Sequence, residues 1–301
     1  MPTSTPESAT TDLAAPVTPG RWGNWRRFAR NRLAVAGAAI LAVMAASALL
    51  APYAAPYDPL EMSLGRPFEP PGSPGHLLGT DNFGRDVLSR LLFGGRTSLV
   101  VGFAVIGLAA SVGLVLGAVS GYYGGVVDLL LMRVTDLFFA FPFFILAIGV
   151  IAALGPGIQN VMLVLAAVSW PEYARLVRGK VLALKAEPYV ESARAAGAGD
   201  LRLIFRHILP NSLGPVVVTG TMGLANAILA AAGLSFLGMG VQPPWPEWGA
   251  MLSEAKTFMR TAPHLVVAPG AAIMVTVLAI NFVGDGLQEA LDPKLRSERG
   301  V

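Results

Sequence analysis

Two stretches of the chain come close to the signatures of proteases that cut within membranes. A serine protease of this kind needs a GxSG-like nucleophile, but residues 233–236 read GLSF and lack the final glycine. An aspartyl protease needs GxGD, and residues 282–285 read FVGD without the first glycine. Neither HExxH nor the phosphate-binding GxxxxGK[ST] pattern occurs. The sequence therefore predicts no catalytic residues and no ATPase activity in this chain.

Protein recognition is the chemistry that the polar, basic segment 191–210, ESARAAGAGDLRLIFRHILP, indicates instead. Pro188 suits the first turn of a helix, where its missing N–H is not needed. Gly197 and Gly199 can end that helix, and Asp200 is a good N-cap for a second one. The first helix carries small residues, which suit a groove on another protein better than a lipid surface.

The second helix of this segment is expected to end at Pro210. Its apolar residues fall on one stripe, which suits protein docking or an amphipathic helix on lipid headgroups about equally. The stripe residues are Leu201, Ile204, Phe205 and Ile208.

The spacing of this segment resembles the EAA signature of ABC-importer permeases, which reads E-A-A, three residues, Gly, nine residues, I-x-L-P. The matching residues are Glu191, Ala193, Gly197, Leu209 and Pro210. Ser192 replaces the second-position Ala, and His207 stands where the pattern has Ile. The stretches HLLGTDNFGRDVLSRLLFGGRTSL (76–99), SGYYGGVVD (120–128) and LSFLGMGVQPPWPEWGAML (234–252) resemble the dipeptide/oligopeptide/nickel permease family, and within it the second permease subunit.

This resemblance implies an all-α polytopic membrane protein with about six transmembrane helices and the type I ABC-importer permease fold. It implies four kinds of partner: a sister permease, two cytosolic ATPase subunits, an extracytoplasmic solute-binding protein and the lipid bilayer. ATP and Mg²⁺ would be bound by the ATPases, and no cofactor by this chain. The loop 179–210 would couple to the ATPases, and the solute would be a di- or oligopeptide or a related small molecule.

Composition independently indicates a membrane protein. Hydrophobic residues make up 54% of the chain and charged residues 14%, with a mean hydropathy of +0.59, whereas soluble domains carry about 25% charged residues. The net charge of +3 is too small to suggest nucleic-acid binding, and the absence of cysteine excludes disulfides and thiolate chemistry. Apolar runs near the length of a bilayer crossing occur at 33–51, 99–120, 129–153, 158–177, 214–237 and 265–287.

Basic residues cluster before the first apolar run, between the fourth and fifth, and after the sixth. The membrane is predicted to be the cytoplasmic membrane. By the positive-inside rule the basic regions face the cytosol, so both termini are predicted to be cytosolic. The expected regions are a cytosolic tail 1–32, a first span 33–51, an extracytoplasmic segment 52–96, a permease core 97–288 and a cytosolic tail 289–301. Residues 1–20 are expected to be disordered.

Several residues within the runs allow two interpretations each. Asn226 and Asn281 either hydrogen-bond between helices or line a pathway, because polar groups in a bilayer face protein or water. A GxxxGxxxG face (Gly113, Gly117 and Gly121) packs either within the chain or on the sister permease. Pro142 and Pro171 are expected to bend the third and fourth spans.

Two extracytoplasmic features are also predicted. Residues 81–92 are expected to form a short amphipathic helix at the outer surface. The two tryptophans of 241–248 either anchor at the membrane interface or contact the binding protein.

A stand-alone secondary transporter is the remaining alternative to an ABC permease, although such proteins carry internal repeats and midplane ionisable groups that are not evident here.

Overall fold

The computed structural model describes residues 21–63 and 66–291. Apart from two isolated β-bridges, the regular elements in those ranges are helices, which confirms the all-α prediction. The predicted disorder of residues 1–20 and most of the predicted C-terminal tail lie outside the described residues. The helices are α1 (Arg21–Arg30), α2 (Arg32–Leu49), α3 (Ala51–Ala54), α4 (Val87–Tyr123), α5 (Gly125–Phe139), α6 (Phe143–Leu154), α7 (Ile158–Lys185), α8 (Pro188–Ala195), α9 (Asp200–Arg202), a π-helical segment (Leu203–Ile208), α10 (Leu209–Phe236), α11 (Trp248–Ala255), a 3-10 turn (Lys256–Phe258) and α12 (His264–Leu291).

Four helices within the described ranges are long and apolar enough to cross a membrane. They are Arg32–Leu49, Val87–Tyr123, Asp200–Phe236 and His264–Leu291. The pair α5 and α6 adds a fifth crossing if it counts as one span, bent by 89° at the break before α6. Pro142 is the residue that caps α6, so the expected bend in the third span is present at that proline.

Helix α7 is not among the helices that are long and apolar enough to cross a membrane, yet it packs alongside α4. A Cβ added at Gly113 of α4 would lie 2.4 Å from Tyr173 Cβ, and one at Gly121 would lie 2.9 Å from Val181 Cβ. Residue numbers therefore rise together along α4 and α7, which makes the two helices parallel. Two parallel neighbours require the chain between them, α5 and α6, to return along the bundle.

Two other pairs of long helices, α2 with α12 and α4 with α10, are antiparallel. Asn31 of α2 donates to Glu289 of α12 at 3.1 Å, and Met44 meets Thr276 further along. Helix α10 runs opposite to α4, since Gly102 faces Ile228 while Ile106 faces Gly223. In the described residues the chain passes along the bundle six times, through α2, α4, α5 with α6, α7, α10 and α12. The six-span membrane topology remains a prediction. We call the end at which α2 begins and α7 ends the lower end, and the opposite end the upper end.

The GxxxGxxxG face packs within the chain. A Cβ added at Gly117 would lie 2.4 Å from the Ala174 carbonyl oxygen, and a Cβ at Gly113 would lie 2.8 Å from the Trp170 carbonyl oxygen. Side chains at these positions would separate the two backbones, so glycine permits the close approach of α4 and α7. Helix α7 itself continues through Pro171 without interruption.

Two predicted helix boundaries are wrong. Residues 81–92 do not form a separate helix, because the carboxylate of Asp86 accepts from the Ser89 amide at 2.7 Å and caps α4, which then continues to Tyr123. Pro210 does not end a helix either, because Asp200–Phe236 is continuous. Pro210 lies in the first turn of α10, directly after the π-helical segment, and a missing N–H is tolerated at such a position.

Buried charges attach the segment before α4 to α11 at the upper end. Arg85 bonds to Asp81 and to Glu254, each at 2.6 Å, and Arg90 bonds to Glu254 at 3.1 Å. The opposite charges compensate one another, which a buried ion requires. Trp248 is buried with its indole N–H donated to the Leu91 carbonyl at 3.0 Å, so it is a core residue rather than an interface anchor or partner contact.

Candidate functional site

The segment predicted to dock a partner lies at the lower end of the bundle, between α7 and α10. Pro188 occupies the first turn of α8, as its sequence position predicts. Helix α8 then ends in a Schellman motif, in which the Ala198 amide donates to the Ala193 carbonyl at 3.1 Å and the Gly197 amide to the Arg194 carbonyl at 2.9 Å. Gly197 has a φ of +83°, so this turn uses the left-handed backbone conformation that glycine adopts without strain.

One face of the segment is buried against the bundle. Val190, Leu203 and Ile208 are fully buried in a cluster that also contains Tyr173 and Val177 of α7. Ala193 and Ala198 pack against the same cluster. The segment is therefore held by packing against α4 and α7.

The opposite face is exposed. Glu191 lies in the first turn of α8, where a carboxylate is favoured by the helix dipole. Within the part of the chain that the structure describes, this carboxylate makes no hydrogen bond or ion pair, and Ser192 donates back to the Pro188 carbonyl at 2.8 Å. The exposed side of α8 thus presents a carboxylate and small residues.

The predicted apolar stripe of the second helix is split between two faces. Ile204 and Ile208 are buried, whereas Leu201 is 68% exposed and Phe205 is 60% exposed. The split follows from packing, because Ile204 and Ile208 join the cluster with Tyr173 and Val177 of α7, whereas Leu201 and Phe205 are not part of it. The lower end therefore carries two large exposed apolar residues. We name the exposed residues Glu191, Ser192, Gly197, Leu201 and Phe205 the docking surface.

Leu209 and Pro210, the last two residues of the EAA-like pattern, are not part of the docking surface. Leu209 is half-buried against the cluster beneath α8, and Pro210 is exposed in the first turn of α10. Asn211 next to them donates to the His207 carbonyl at 2.6 Å and to the Tyr189 hydroxyl at 3.2 Å. This region joins the docking surface to α10.

Sequence reasoning missed a set of polar contacts that connects the docking segment to α4. The Tyr122 hydroxyl donates to Asp200 at 2.6 Å, so Asp200 bonds to another helix and the N-cap of α9 is Gly199 instead. Lys185 donates to the Tyr122 carbonyl at 2.5 Å, and Asp128 accepts both from Arg178 and from Ser120. Tyr122 and Asp128 belong to the quoted SGYYGGVVD stretch, but nothing in their spacing indicates these distant partners.

A groove of about 310 Å³ lies among α4, α6, α7 and α10, and Asn226 of α10 is one of its lining residues. Phe143, Phe144, Ser169, Glu172 and Tyr173 also line it. Asn281 is half-buried on α12 and is not among the residues that line this groove. The two asparagines that the sequence singled out therefore do not share one cavity.

Glu172 is a further residue whose position the sequence did not predict. It lies about 21 Å along α7 from the upper end, given a rise of about 1.5 Å per residue, and it is exposed on the groove. A carboxylate in the middle of a crossing helix is a signal for function, because a bilayer disfavours it. The fourth apolar run, 158–177, includes Glu172, but nothing in the composition of the run assigns a role to this carboxylate.

No group of three metal-ligating side chains occurs among residues 21–63 and 66–291. Comparison with known protein families then decides what kind of protein carries this docking surface. Residues 113–297 match the family described as the binding-protein-dependent transport system inner membrane component, and residues 22–71 match the N-terminal transmembrane domain of oligopeptide transport permease C. The chain belongs to this permease family.

Curated relatives of the permease match over nearly its whole length. A dipeptide transport system permease protein of Haemophilus influenzae is 47% identical over 277 residues, which cover 90% of this chain and 94% of the relative. A glutathione transport system permease protein of Pectobacterium atrosepticum is 48% identical over 274 residues, covering 91% of each chain. The permease is thus a multi-pass inner-membrane subunit of an ABC importer, is not itself an enzyme, and works with ATPase and binding-protein partners.

The fold of the permease is similar to that of a solved transporter. An inward-facing MetNI methionine ABC transporter matches with a TM-score of 0.55 and 21% identity, over 68% of this chain and 97% of the other. This likeness concerns the fold alone. It confirms the prediction of an ABC-importer permease fold, and the family match confirms the predicted absence of a cofactor in this subunit.

Proposed function

We propose that the permease carries di- or oligopeptides across the cytoplasmic membrane into the cell. The two relatives above are named for a dipeptide and for glutathione, which is itself a small peptide. The groove beside Asn226 supports this proposal, because about 310 Å³ is within the size of sites that hold small molecules. Nickel chelates and other small solutes are the alternative cargo.

The docking surface is the observation that carries the proposed coupling. In this proposal one of two ATPase subunits receives α8 in a groove, where Glu191, Leu201 and Phe205 contact it. The buried face of the segment, with the Tyr122–Asp200 hydrogen bond, transmits movement of the ATPase to α4 and α7. The lower end is then cytosolic, together with both termini, and the upper end receives the solute-binding protein.

A sister permease completes the pathway in this proposal. The groove is only partly enclosed by this chain, so the chain alone does not surround a solute. A second permease packed against the open part would supply the missing wall. Asn226 then lines the pathway, whereas Asn281 is assigned to the helix-packing role that its half-buried position on α12 favours.

Reconstitution into vesicles tests the proposal. The permease alone should take up no radiolabelled dialanine, with or without an ion gradient, because it has no ATPase motif and only part of a pathway. Adding the sister permease, the ATPases, the binding protein and Mg-ATP should give uptake, and an ATPase subunit unable to hydrolyse ATP provides the control.

Two results would contradict different parts of the proposal. Uptake by the isolated chain, driven by an ion gradient without ATP, would show a secondary transporter. A complete complex that takes up nickel chelates with ATP but not dialanine would preserve the importer and overturn the peptide assignment.

A further inference from the structure

Glu172 is the charged residue among the side chains that line the groove beside Asn226. It lies on α7 between Ser169 and Tyr173, and Asn226 of α10 lines the same groove. Its carboxylate makes no hydrogen bond or ion pair with any residue that the structure describes. The two nearest charged residues further down α7, Arg175 and Arg178, bond to Asp136 and Asp128 respectively.

An unpaired carboxylate at mid-helix needs a compensating group. Its charge is disfavoured by lipid, and such groups face water, protein or a transported solute. The aromatic rings of Phe143, Phe144 and Tyr173 line the same groove, and the faces of aromatic rings attract cations. A carboxylate beside aromatic rings and neutral polar groups therefore fits an ammonium group in chemistry and charge.

We propose that Glu172 binds the α-ammonium group of a peptide as the peptide passes through the groove. The inference rests on the proposed function, because it needs a substrate with a free amine. Peptides supply one, and the Asn226 side chain can hydrogen-bond the adjacent peptide groups. Glu172 thereby selects for solutes with a free amine, in addition to the selection that a binding protein makes.

The position of Glu172 in the groove is consistent with a transient site. The groove extends along α7 from Leu165 to Tyr173 and along α10 from Ala230 to Gly223, so Glu172 lies toward its lower end. An ammonium group entering from the upper end passes Asn226 before it reaches the carboxylate. One charge-assisted hydrogen bond is strong enough to orient the solute and weak enough to release it.

The experiment uses the complete reconstituted complex and the variant Glu172→Gln, which keeps the shape and removes the charge. Uptake of dialanine at limiting concentration should fall about tenfold, the size expected for one lost charge-assisted hydrogen bond. Glu172→Asp should retain most of the uptake. Ser169→Ala, in the same groove but uncharged, is the matched control and should stay within about twofold of the unmodified complex.

Three further readouts separate amine recognition from a structural role. Uptake of propionyl-alanine, which has the shape of dialanine without its amine, should be the same with Glu172 and with Gln at this position. Stimulation of ATP hydrolysis by the loaded binding protein should not change, and the sister permease should still co-purify.

Unchanged dialanine uptake by the Glu172→Gln complex would overturn the inference, as would an equal fractional loss for both solutes. Loss of the sister permease would also overturn it, in favour of an ion pair between the two permeases. Failure of the unmodified complex to take up dialanine is a different result, because it removes the peptide assignment on which the inference rests.

Discussion

At the scale of single residues, the proposed coupling depends most directly on the backbone conformation of Gly197. Its φ of +83° closes the turn after α8, and a Cβ at this position would meet no atom within 4 Å. A substitution is therefore not prevented by crowding within the chain. Its cost is conformational, about 1–2 kcal/mol for an L-residue in the left-handed region and more for a β-branched one.

We expect Gly197→Val to abolish peptide uptake and binding-protein-stimulated ATP hydrolysis while the permease still inserts into the membrane. The strained turn would displace α8 from the position that the ATPase binds. Gly197→Asn is the matched variant, since Asn tolerates the left-handed conformation, and it should retain most activity. Both activities are measured in reconstituted complexes, with membrane insertion checked by the amount of extracted permease.

The two variants separate the conformation of the turn from its size. Normal uptake by the Gly197→Val complex would contradict the docking assignment. Equal loss in both variants would show that the partner needs a bare surface at this position, rather than a left-handed turn.

At the scale of elements, the α4–α7 interface is a close helix contact for which the chain offers a matched comparison. Gly113 faces Tyr173 and the Trp170 carbonyl, whereas Gly107 of the same helix has no atom within 4 Å of an added Cβ. Both positions are glycines of one helix, so their intrinsic helix propensities are the same. Only the neighbouring helix differs.

We expect Gly113→Ala to destabilise the permease by about 1–3 kcal/mol, because the added methyl group forces α4 and α7 apart. Gly107→Ala should be neutral or stabilising by up to about 1 kcal/mol, because Ala is the better helix former. Thermal unfolding of the detergent-extracted permease measures both. Equal stabilities of the two variants would contradict the close parallel packing of α4 and α7.

At the scale of the whole molecule, the six passes of the bundle place the segment between α3 and α4 at the upper end and the last turn of α12 at the lower end. The first of these contains Ser73 in the upper part of the protein, while Ser297 lies outside the described residues. The chain contains no cysteine, so single cysteines at these positions are unambiguous labels.

We expect an impermeant thiol reagent applied outside intact cells to label Ser73→Cys and to label Ser297→Cys only after the membrane is opened. This result follows from the cytosolic placement of the basic regions. An accessible position 297 in intact cells would reverse the orientation. If Ser73→Cys stays unlabelled even after the membrane is opened, the side chain is buried and does not report the orientation. Leu77→Cys, at an exposed position, is then used as the label instead.

The sequence alone determined the class of this protein and the place of its docking segment. Apolar runs of bilayer length and the distribution of basic residues depend on local composition, which can be counted along the chain. The turn at Gly197 and the helix start at Pro188 are likewise local, because each follows from the backbone preferences of one residue.

Only the tertiary structure decided which surfaces these elements present. The continuous helix through Pro210, the split of Leu201 from Ile204, and the pairing of Tyr122 with Asp200 all depend on contacts between segments distant in sequence. The same holds for Glu172, whose meaning changes once α6 and α10 are seen to form a groove around it. Periodicity gives the faces of one helix, but the helix that covers a face is determined by packing of the whole bundle.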